Sequence, residues 1–473
     1  MERSKRNIAL SLVVVMFLAA FEGTVVATAA PAIVGDLQGF DQVSRMFSFY
    51  LLAEAVSTPI YGKLADIYGR KRVLLSGIFI FLCGSLLCGL SQTMGQLVAF
   101  RALQGLGAGS ILTITFTIIG DIFTLKERSV VAGVVSTVWG VAGLAGPLLG
   151  GLCIDMLSWH WIFFINIPFC LLCMAALYRY LSDPVLSKQV HIDYAGSIFL
   201  AVTIVSVLYA IVSGYQDGSW QYALGLAVLS GWLFVKAEQR AKDPILPFSI
   251  LTCRANYITA VTFGVSILLI AANVYIPLYV QSVLGQSATA AGLIITAMSI
   301  SWFFGSVTVA GRMQRWGGRT VIAIGAALLL FSSLLLANVT EETSLYWLGT
   351  VNFLFGIGFS YTLNTITFLV QDSVSYAQRG VAVSVNTLTR AVGQALGVSF
   401  LGTLMNLRIA QYGQDAGISL DAVNHMLQNS VSLTGSIRDA VFAGLHEMYL
   451  LLAGLAAGIA FLVWRMPERE DKS

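Results

Sequence analysis

Four ionisable side chains lie deep within long apolar segments of this sequence: Glu22, Glu54, Arg101 and Arg390. A charge at the centre of a bilayer costs at least about 2.5 kcal/mol on insertion scales, so such residues usually face a cavity or a partner. Burial favours the neutral form of a carboxyl, whereas a nearby arginine favours its ionised form. Glu22 and Glu54 are therefore candidates to take up and release a proton beside Arg101. A static buried ion pair with Arg101 is the alternative for either carboxyl.

Polar and aromatic groups share helical faces within the same apolar segments. Tyr50 lies on one face with Glu54, and Gln104 lies on one face with Arg101, because residues three or four apart are neighbours on a helix. Such groups suit a wide pocket for a small-molecule substrate, although each alone also fits packing between helices. The predicted substrate cavity is lined by Tyr50, Gln104, Asn273, Tyr275, Trp302, Tyr361, Asn364, Asn386 and Arg390.

The composition places these residues in a membrane protein. Of 473 residues, 57% are hydrophobic and only 11% are charged, where a soluble domain carries roughly a quarter of charged residues. The mean hydropathy is +0.80. A soluble fold of this size has too little interior to bury so much apolar surface. These values exclude a soluble enzyme, a disordered scaffold and a nucleic-acid-binding protein, and they predict an all-α integral membrane fold.

Long apolar runs predict where the membrane-spanning helices lie, because each run has about the 20 residues that cross the hydrocarbon core. The fourteen predicted spans lie at about 8–30, 45–61, 73–91, 96–119, 129–152, 160–180, 194–213, 220–237, 256–281, 289–310, 320–338, 345–370, 380–405 and 445–465. With a cytoplasmic N-terminus, the cytoplasmic segments hold 22 of the 27 lysines and arginines. This bias predicts that both termini are cytoplasmic. The long outside segment is then about 406–444.

A short basic loop occurs twice in the predicted topology. Residues 62–72 join spans 2 and 3, and a degenerate copy at residues 311–319 joins spans 10 and 11. Two glycine-rich, basic loops in the same orientation suggest parallel repeats about an axis normal to the membrane. The predicted domains are a six-helix bundle at 1–185, an inserted helix pair at 186–254, and a second six-helix bundle at 255–473.

Several motifs resemble those of the major facilitator superfamily, in its fourteen-span drug:proton antiporter branch. Residues 62–72 match the G-x-L-A-D-x-x-G-R-K-x signature without a gap, and Arg101 and Gln104 belong to a second signature in span 4. Glu22 stands where the branch usually has aspartate, and Ala142 replaces one glycine of the antiporter signature in span 5. The loop residues of interest are Gly62, Asp66, Gly69, Arg70, Lys71 and Arg72. The antiporter-signature residues are Gly133, Gly146, Pro147, Gly150 and Gly151.

The resemblance implies two six-helix bundles plus an inserted pair, and export of hydrophobic, cationic drugs by proton antiport. It implies that Asp66 latches the cytoplasmic side and that the span 5 glycines form a seal and hinge. Substrate, protons and membrane lipids are the expected partners, with no nucleic acid and no cofactor beyond the proton gradient. We expect a monomer in the plasma membrane.

Other functions fit the sequence less well. There is no G-x-x-x-x-G-K-[ST] motif for nucleotide binding, and the four histidines are scattered, so neither an ATP-driven pump nor a membrane enzyme is favoured. Export of a specific metabolite or lipid-like molecule is the alternative within transport. A non-transporting membrane sensor with a transporter fold is the alternative outside it.

The topology can be tested by accessibility of introduced cysteines. Cysteines near Asn7 and Lys188 should react with an impermeant thiol reagent only from the cytoplasm, because both lie on the predicted inner side. A cysteine near Asp421 should react only from outside. Labelling at position 188 from outside would overturn the fourteen-span topology.

Overall fold

The computed structural model describes residues 3–123, 125–182, 194–213, 219–241, 253–372, 379–416 and 435–467. Within these ranges the secondary structure is helical and contains no strand. The α-helices are α1 (Arg3–Leu37), α2 (Val43–Tyr68), α3 (Arg70–Gly89), α4 (Met94–Ile122), α5 (Leu125–Met156), α6 (Trp161–Phe164), α7 (Asn166–Tyr180), α8 (Tyr194–Ser213), α9 (Ser219–Arg240), α10 (Cys253–Ser282), α11 (Ala288–Trp316), α12 (Gly318–Leu336), α13 (Leu345–Phe359), α14 (Thr365–Asp372), α15 (Arg379–Ala416) and α16 (Gly435–Arg465). The all-α prediction is confirmed.

Nine helical segments among the described residues are long and apolar enough to cross a membrane. They are α1, α3, α4, α6 with α7, α10, α11, α12, α13 with α14, and α16. The other five predicted spans coincide with α2, α5, α8, α9 and α15, which are less apolar or less completely described. The count of fourteen spans therefore stays a prediction. The middle of the predicted outside segment, residues 417–434, lies outside the described part of the chain, and its two ends belong to α15 and α16.

The chain divides into two compact units. Unit 1 comprises Met1–Val26, Arg45–Gly146 and Met156–Ile245, and unit 2 comprises Ala27–Ser44, Pro147–Asp155 and Leu246–Ser473. In unit 1, residues of α1, α3, α4 and α7 share one apolar core, which includes Leu12, Phe81, Ile114 and Cys170. In unit 2, α10 packs with α15 and α16. The predicted division at residues 185 and 254 stays a prediction.

The sixth predicted span, 160–180, coincides with one apolar helical segment, Trp161–Tyr180. A single turn residue, Ile165, separates α6 from α7, and its backbone angles are those of a right-handed helix (φ −59°, ψ −27°). Proline has no N–H, so Pro168 cannot donate a hydrogen bond to the carbonyl of Phe164 one turn earlier. Asn166 is the first residue of α7, and its side chain is buried.

The twelfth predicted span is irregular. A π-helical turn at Ser360–Asn364 separates α13 from α14. Single π turns are frequent at functional sites, because they displace the side chains that follow them. This turn carries Tyr361 and Asn364, two residues of the predicted cavity.

The two repeated loops share a backbone conformation and a capping contact. Gly69 (φ 93°) separates α2 from α3, and Gly317 (φ 79°) separates α11 from α12. Two residues after each glycine, a cation donates to a carbonyl near the end of a distant helix. Lys71 Nζ lies 2.8 Å from the carbonyl oxygen of Tyr178 in unit 1, and Arg319 Nη2 lies 2.6 Å from that of Trp464 in unit 2. Equivalent contacts in equivalent loops support the predicted internal repeat.

Lys71→Gln should lower the unfolding temperature of the detergent-solubilised protein by about 1–3 °C, because a cation at a helix C-terminus contributes only a modest stabilisation. Arg72→Gln is the matched control, since Arg72 is exposed and makes no hydrogen bond to the described residues. The same charge is removed in both variants. Equal losses from the two substitutions would show that net charge, and not the capping contact, matters.

Candidate functional site

A buried ion pair joins α1 to α4 in unit 1. Arg101 Nη1 lies 2.6 Å from Glu22 Oε1, and the two side chains are 1% and 0% exposed. The sequence predicted that a buried carboxyl would face Arg101 but left open whether it was Glu22 or Glu54. The structure shows that Glu22 is the carboxyl in contact with the guanidinium.

Aromatic and amide groups surround the guanidinium of Arg101. It lies 4.0 Å from the centre of the Tyr50 ring and 6.0 Å from that of Phe163. Arg101 Nη1 also donates to Gln104 Oε1 at 2.6 Å. A desolvated charge pair persists only when further hydrogen bonds and cation–π contacts offset its lost hydration. Tyr50 and Gln104, predicted as cavity residues, supply part of that compensation.

Two further polar side chains complete a hydrogen-bonded ring around the carboxylate. Asn166 Nδ2 donates to Glu22 Oε2 at 2.8 Å and to Ser85 Oγ at 3.2 Å. Gln104 Nε2 donates to the same Ser85 Oγ at 2.7 Å. All of these side chains are buried. The sequence predicted no site role for Ser85 or Asn166, although an asparagine within an apolar run, two residues before a proline, is an available signal.

Close helix packing brings these groups together. Tyr50 and Arg101 meet because α2 and α4 approach at Gly105, where an added Cβ would overlap the backbone carbonyl oxygen of Tyr50. Only glycine permits backbones to come this near, as in small-residue helix contacts of membrane proteins. Arg101 and Gly105, four residues apart on α4, therefore supply the charge and the close approach that positions it.

Glu54 lies on the same face of α2 as Tyr50, one turn further along. Its side chain is partly exposed, and its backbone carbonyl accepts a hydrogen bond from Thr58 Oγ1 at 2.8 Å. The predicted role of Glu54 in proton coupling stays a prediction.

The antiporter-signature residues of α5 make two separate sets of contacts. In unit 1, the hydroxyl of Thr24 donates to the carbonyl of Ala142 at 3.3 Å, and a Cβ on Gly146 would overlap that hydroxyl. The signature therefore holds α1 in place two residues beyond Glu22. The side chain of Ala142, which replaces a glycine, is buried beside this contact.

Residues Pro147–Asp155 of α5 belong to unit 2, where they pack on the N-terminus of α11. A Cβ on Gly151 would lie 2.6 Å from Thr289 Cα. Asp155 accepts hydrogen bonds from the backbone N–H of Thr289, at 3.1 Å, and from its hydroxyl. A carboxylate at a helix N-terminus is favoured by the helix dipole. Gly150 is buried, whereas the surroundings of Gly133 lie outside the described part of the structure.

The basic loop of unit 1 contains an ion pair that the sequence did not predict. Arg70 pairs with Asp121, near the C-terminal end of α4. Lys71 caps α7, and a Cβ added to Gly62 would lie 3.6 Å from Thr113 Cγ2. The side chain of Asp66 lies outside the described part of the structure, so its predicted latch contact stays a prediction.

The predicted cavity residues of unit 2 occupy several different environments. Tyr275 is fully buried and donates to the carbonyl of Val398 at 2.8 Å, which is a packing contact. Tyr361 is buried beneath the guanidinium of Arg312, 4.9 Å from its ring centre. Asn386 Oδ1 accepts from Thr262 Oγ1 at 3.0 Å.

The remaining predicted cavity residues are Asn273, Trp302, Asn364 and Arg390, and all four are partly exposed. Asn364 Nδ2 donates to Ser306 Oγ at 2.8 Å and to Ser360 Oγ at 3.1 Å. A polar cluster therefore joins α11 to the π turn. A substrate cavity lined by these residues stays a prediction.

Comparisons with known proteins identify the family. A sequence profile described as "Major Facilitator Superfamily" matches residues 12–398. The chain is 35% identical over 411 residues to "Multidrug resistance protein 3" of Bacillus subtilis (strain 168), covering 85% of this chain and 80% of the relative. The chain belongs to the Major Facilitator Superfamily. Its members move small molecules across membranes, so this protein is a transporter and not an enzyme.

Further relatives agree with the assignment to the Major Facilitator Superfamily. "Multidrug transporter protein MdtP" of the same Bacillus strain is 34% identical over 414 residues, covering 86% of this chain and 76% of the relative. A crystal structure of a bacterial homologue of the human lysosomal transporter Spinster has a TM-score of 0.70 at 16% identity, with full coverage of both chains. This likeness shows the fold.

The contact between α1 and α5 predicts a coupled pair of substitutions. Gly146→Ala should destabilise the protein by about 1–3 kcal/mol, because the new methyl group overlaps the Thr24 hydroxyl. The cost should be smaller in a Thr24→Ala background, which a double-mutant cycle of unfolding free energies measures. Gly349→Ala is the control, since a Cβ there meets no atom within 4 Å. Additive effects of the two substitutions would contradict the contact.

Proposed function

We propose that this transporter is a proton-coupled antiporter that exports hydrophobic, cationic drugs or other toxic compounds across the cytoplasmic membrane. The observation that best supports this function is the buried Glu22–Arg101 pair, because a carboxyl in this position can exist with or without its proton. The multidrug efflux names of the relatives support the substrate class. The proton gradient is the energy source, and the protein acts as a fourteen-span monomer with cytoplasmic termini.

The ion pair gives a mechanism for exchange. When Glu22 is ionised, its charge is balanced by Arg101 and by the amide of Asn166. When the site opens outward, the carboxyl takes a proton from the more acidic side. When it opens inward, the higher cytoplasmic pH and an arriving cation both favour loss of that proton. Proton and cationic substrate therefore alternate at one negative site.

Alternating access needs gates at both membrane faces. We assign the cytoplasmic latch to the loop of Gly62, Asp66, Gly69, Arg70, Lys71 and Arg72. We assign the outer seal to the span 5 signature, which the packing of Gly151 on Thr289 supports. Each ligand then shifts the balance between the two open forms through its different affinity for them.

The role of Glu22 is tested by Glu22→Gln, which fixes the neutral form of the side chain. In proteoliposomes with an imposed pH gradient, this variant should lose uphill transport of tetraphenylphosphonium, because no proton can leave the site. Glu22→Asp restores the residue usual in the antiporter branch and should keep substantial activity. Glu54→Gln should show a milder loss that depends on the substrate.

The control is counterflow, in which labelled tetraphenylphosphonium exchanges for unlabelled tetraphenylphosphonium across the membrane. This exchange needs no net proton movement. A Glu22→Gln protein that still concentrates the cation against its gradient would place the proton site elsewhere, with Glu54 as the next candidate. A neutral lipophilic substrate transported in preference to the cation would instead favour the metabolite or lipid-like export alternative.

A further inference from the structure

Asn166 touches the carboxylate that the proposed function depends on. It is fully buried at the first residue of α7, and its amide nitrogen is shared between Glu22 Oε2 at 2.8 Å and Ser85 Oγ at 3.2 Å. A hydrogen bond donated to a carboxylate stabilises the ionised form over the acid. In this arrangement Asn166 and Arg101 both favour the ionised form of Glu22, against the burial that favours its neutral form.

The oxygen of the Asn166 amide differs from its nitrogen. Asn166 Oδ1 is buried and has no hydrogen-bond partner among the described residues. A buried polar atom in this condition is uncommon in native structures and is destabilising. The amide thus has an unused acceptor, while its donor contacts Glu22, a group that gains a donor of its own when it binds a proton.

Rotation of the amide by about 180° would exchange its donor and its acceptor. Oδ1 would then face Glu22 Oε2, where a protonated carboxyl offers an O–H. Ser85 can follow the change, because its hydroxyl now accepts from Asn166 and from Gln104 Nε2 and can instead donate to Oδ1. The same cluster can therefore offer a hydrogen-bond donor to ionised Glu22 and an acceptor to protonated Glu22.

We propose that Asn166 is a positioning residue for proton exchange, whose amide donates to ionised Glu22, accepts from protonated Glu22, and switches between them by rotating. This inference rests on the proposed function of Glu22. No bond is formed or broken apart from the O–H of the carboxyl. The proton enters and leaves through Glu22, and Asn166 only exchanges its hydrogen-bond direction.

The surrounding charges act differently from the amide. The titratable groups that face this site are Arg101 from α4, Tyr50 and Glu54 from α2, Cys88 from α3 and Cys170 from α7. Arg101 is a fixed cation and favours the ionised carboxyl in either amide orientation. A second cation at position 166 would add to that bias, and an apolar side chain would add no partner for either state. An amide serves both states, which suits a site that must release its proton in every cycle.

The test measures how tetraphenylphosphonium binding to the purified protein depends on pH. Asn166→Leu keeps the number and branching of the side-chain heavy atoms but cannot donate to the carboxylate, so the pH midpoint of binding should rise by about one to two units. Asn166→Asp keeps the shape of the side chain and places a second carboxyl beside Glu22. The two acids should then share one proton, and the midpoint should also rise.

Asn352→Leu is the matched control. Asn352 is fully buried, its Oδ1 has no partner among the described residues, and its Nδ2 donates only to the carbonyl of Leu348 in its own helix, at 3.0 Å. This variant should leave the midpoint unchanged, even if it lowers the unfolding temperature.

The outcomes separate this inference from the proposed function. An unchanged midpoint in both folded Asn166 variants, with pH dependence still lost in Glu22→Gln, overturns the role of Asn166 and leaves that of Glu22 intact. pH dependence that persists in Glu22→Gln overturns the proposed function. If Asn166→Leu does not fold, the isosteric Asn166→Asp variant decides the question alone.

Discussion

The structure of unit 1 depends on keeping one ion pair out of water. Glu22 and Arg101 are 79 residues apart in the chain and meet at 2.6 Å. Removing two charges from water costs several kcal/mol per ion, and their attraction offsets this only when their remaining hydrogen-bonding groups are also satisfied. The Tyr50 ring, the Gln104 and Asn166 amides and the close approach at Gly105 all serve that requirement. Much of the polar chemistry in unit 1 is therefore organised around a single carboxylate.

A neutral partner gives this pair a property that a second cation would not. Arg101 always favours ionised Glu22, as a second cation would, and a carboxyl that never binds a proton cannot couple transport to a pH gradient. Asn166 lies against the second carboxylate oxygen, and its own side-chain oxygen has no partner within the described part of the structure. Asn166 begins α7 directly after the turn at Ile165 and stands two residues before Pro168.

The sequence predicted which residues carry the chemistry more completely than it predicted where they lie in the fold. Glu22, Glu54 and Arg101 are conspicuous because charges are rare in apolar segments, and the all-α fold follows from composition. Which carboxyl pairs with Arg101 could not be predicted, since this depends on the rotation and separation of α1, α2 and α4. Asn166 was missed because a single uncharged amide in an apolar run also fits ordinary packing.

The internal repeat shows a similar limit. The glycines and cations of the two loops predicted equivalent turns, and Gly69 and Gly317 have similar backbone angles. The contacts of Lys71 and Arg319 with distant carbonyls could not be predicted, because they require the last helix of each repeat to lie beside the loop. The π turn in the twelfth predicted span could not be predicted from the hydrophobic periodicity of the sequence.

The most direct test of the Glu22 account is a count of protons released when the substrate binds. In weakly buffered detergent solution near the binding midpoint, tetraphenylphosphonium should displace a substantial fraction of a proton, up to about one per bound cation, from the wild-type protein. Glu22→Gln should release none, whereas Glu54→Gln should still release protons. Equal release by wild type and Glu22→Gln would contradict the account, because the exchanged proton would then come from another group.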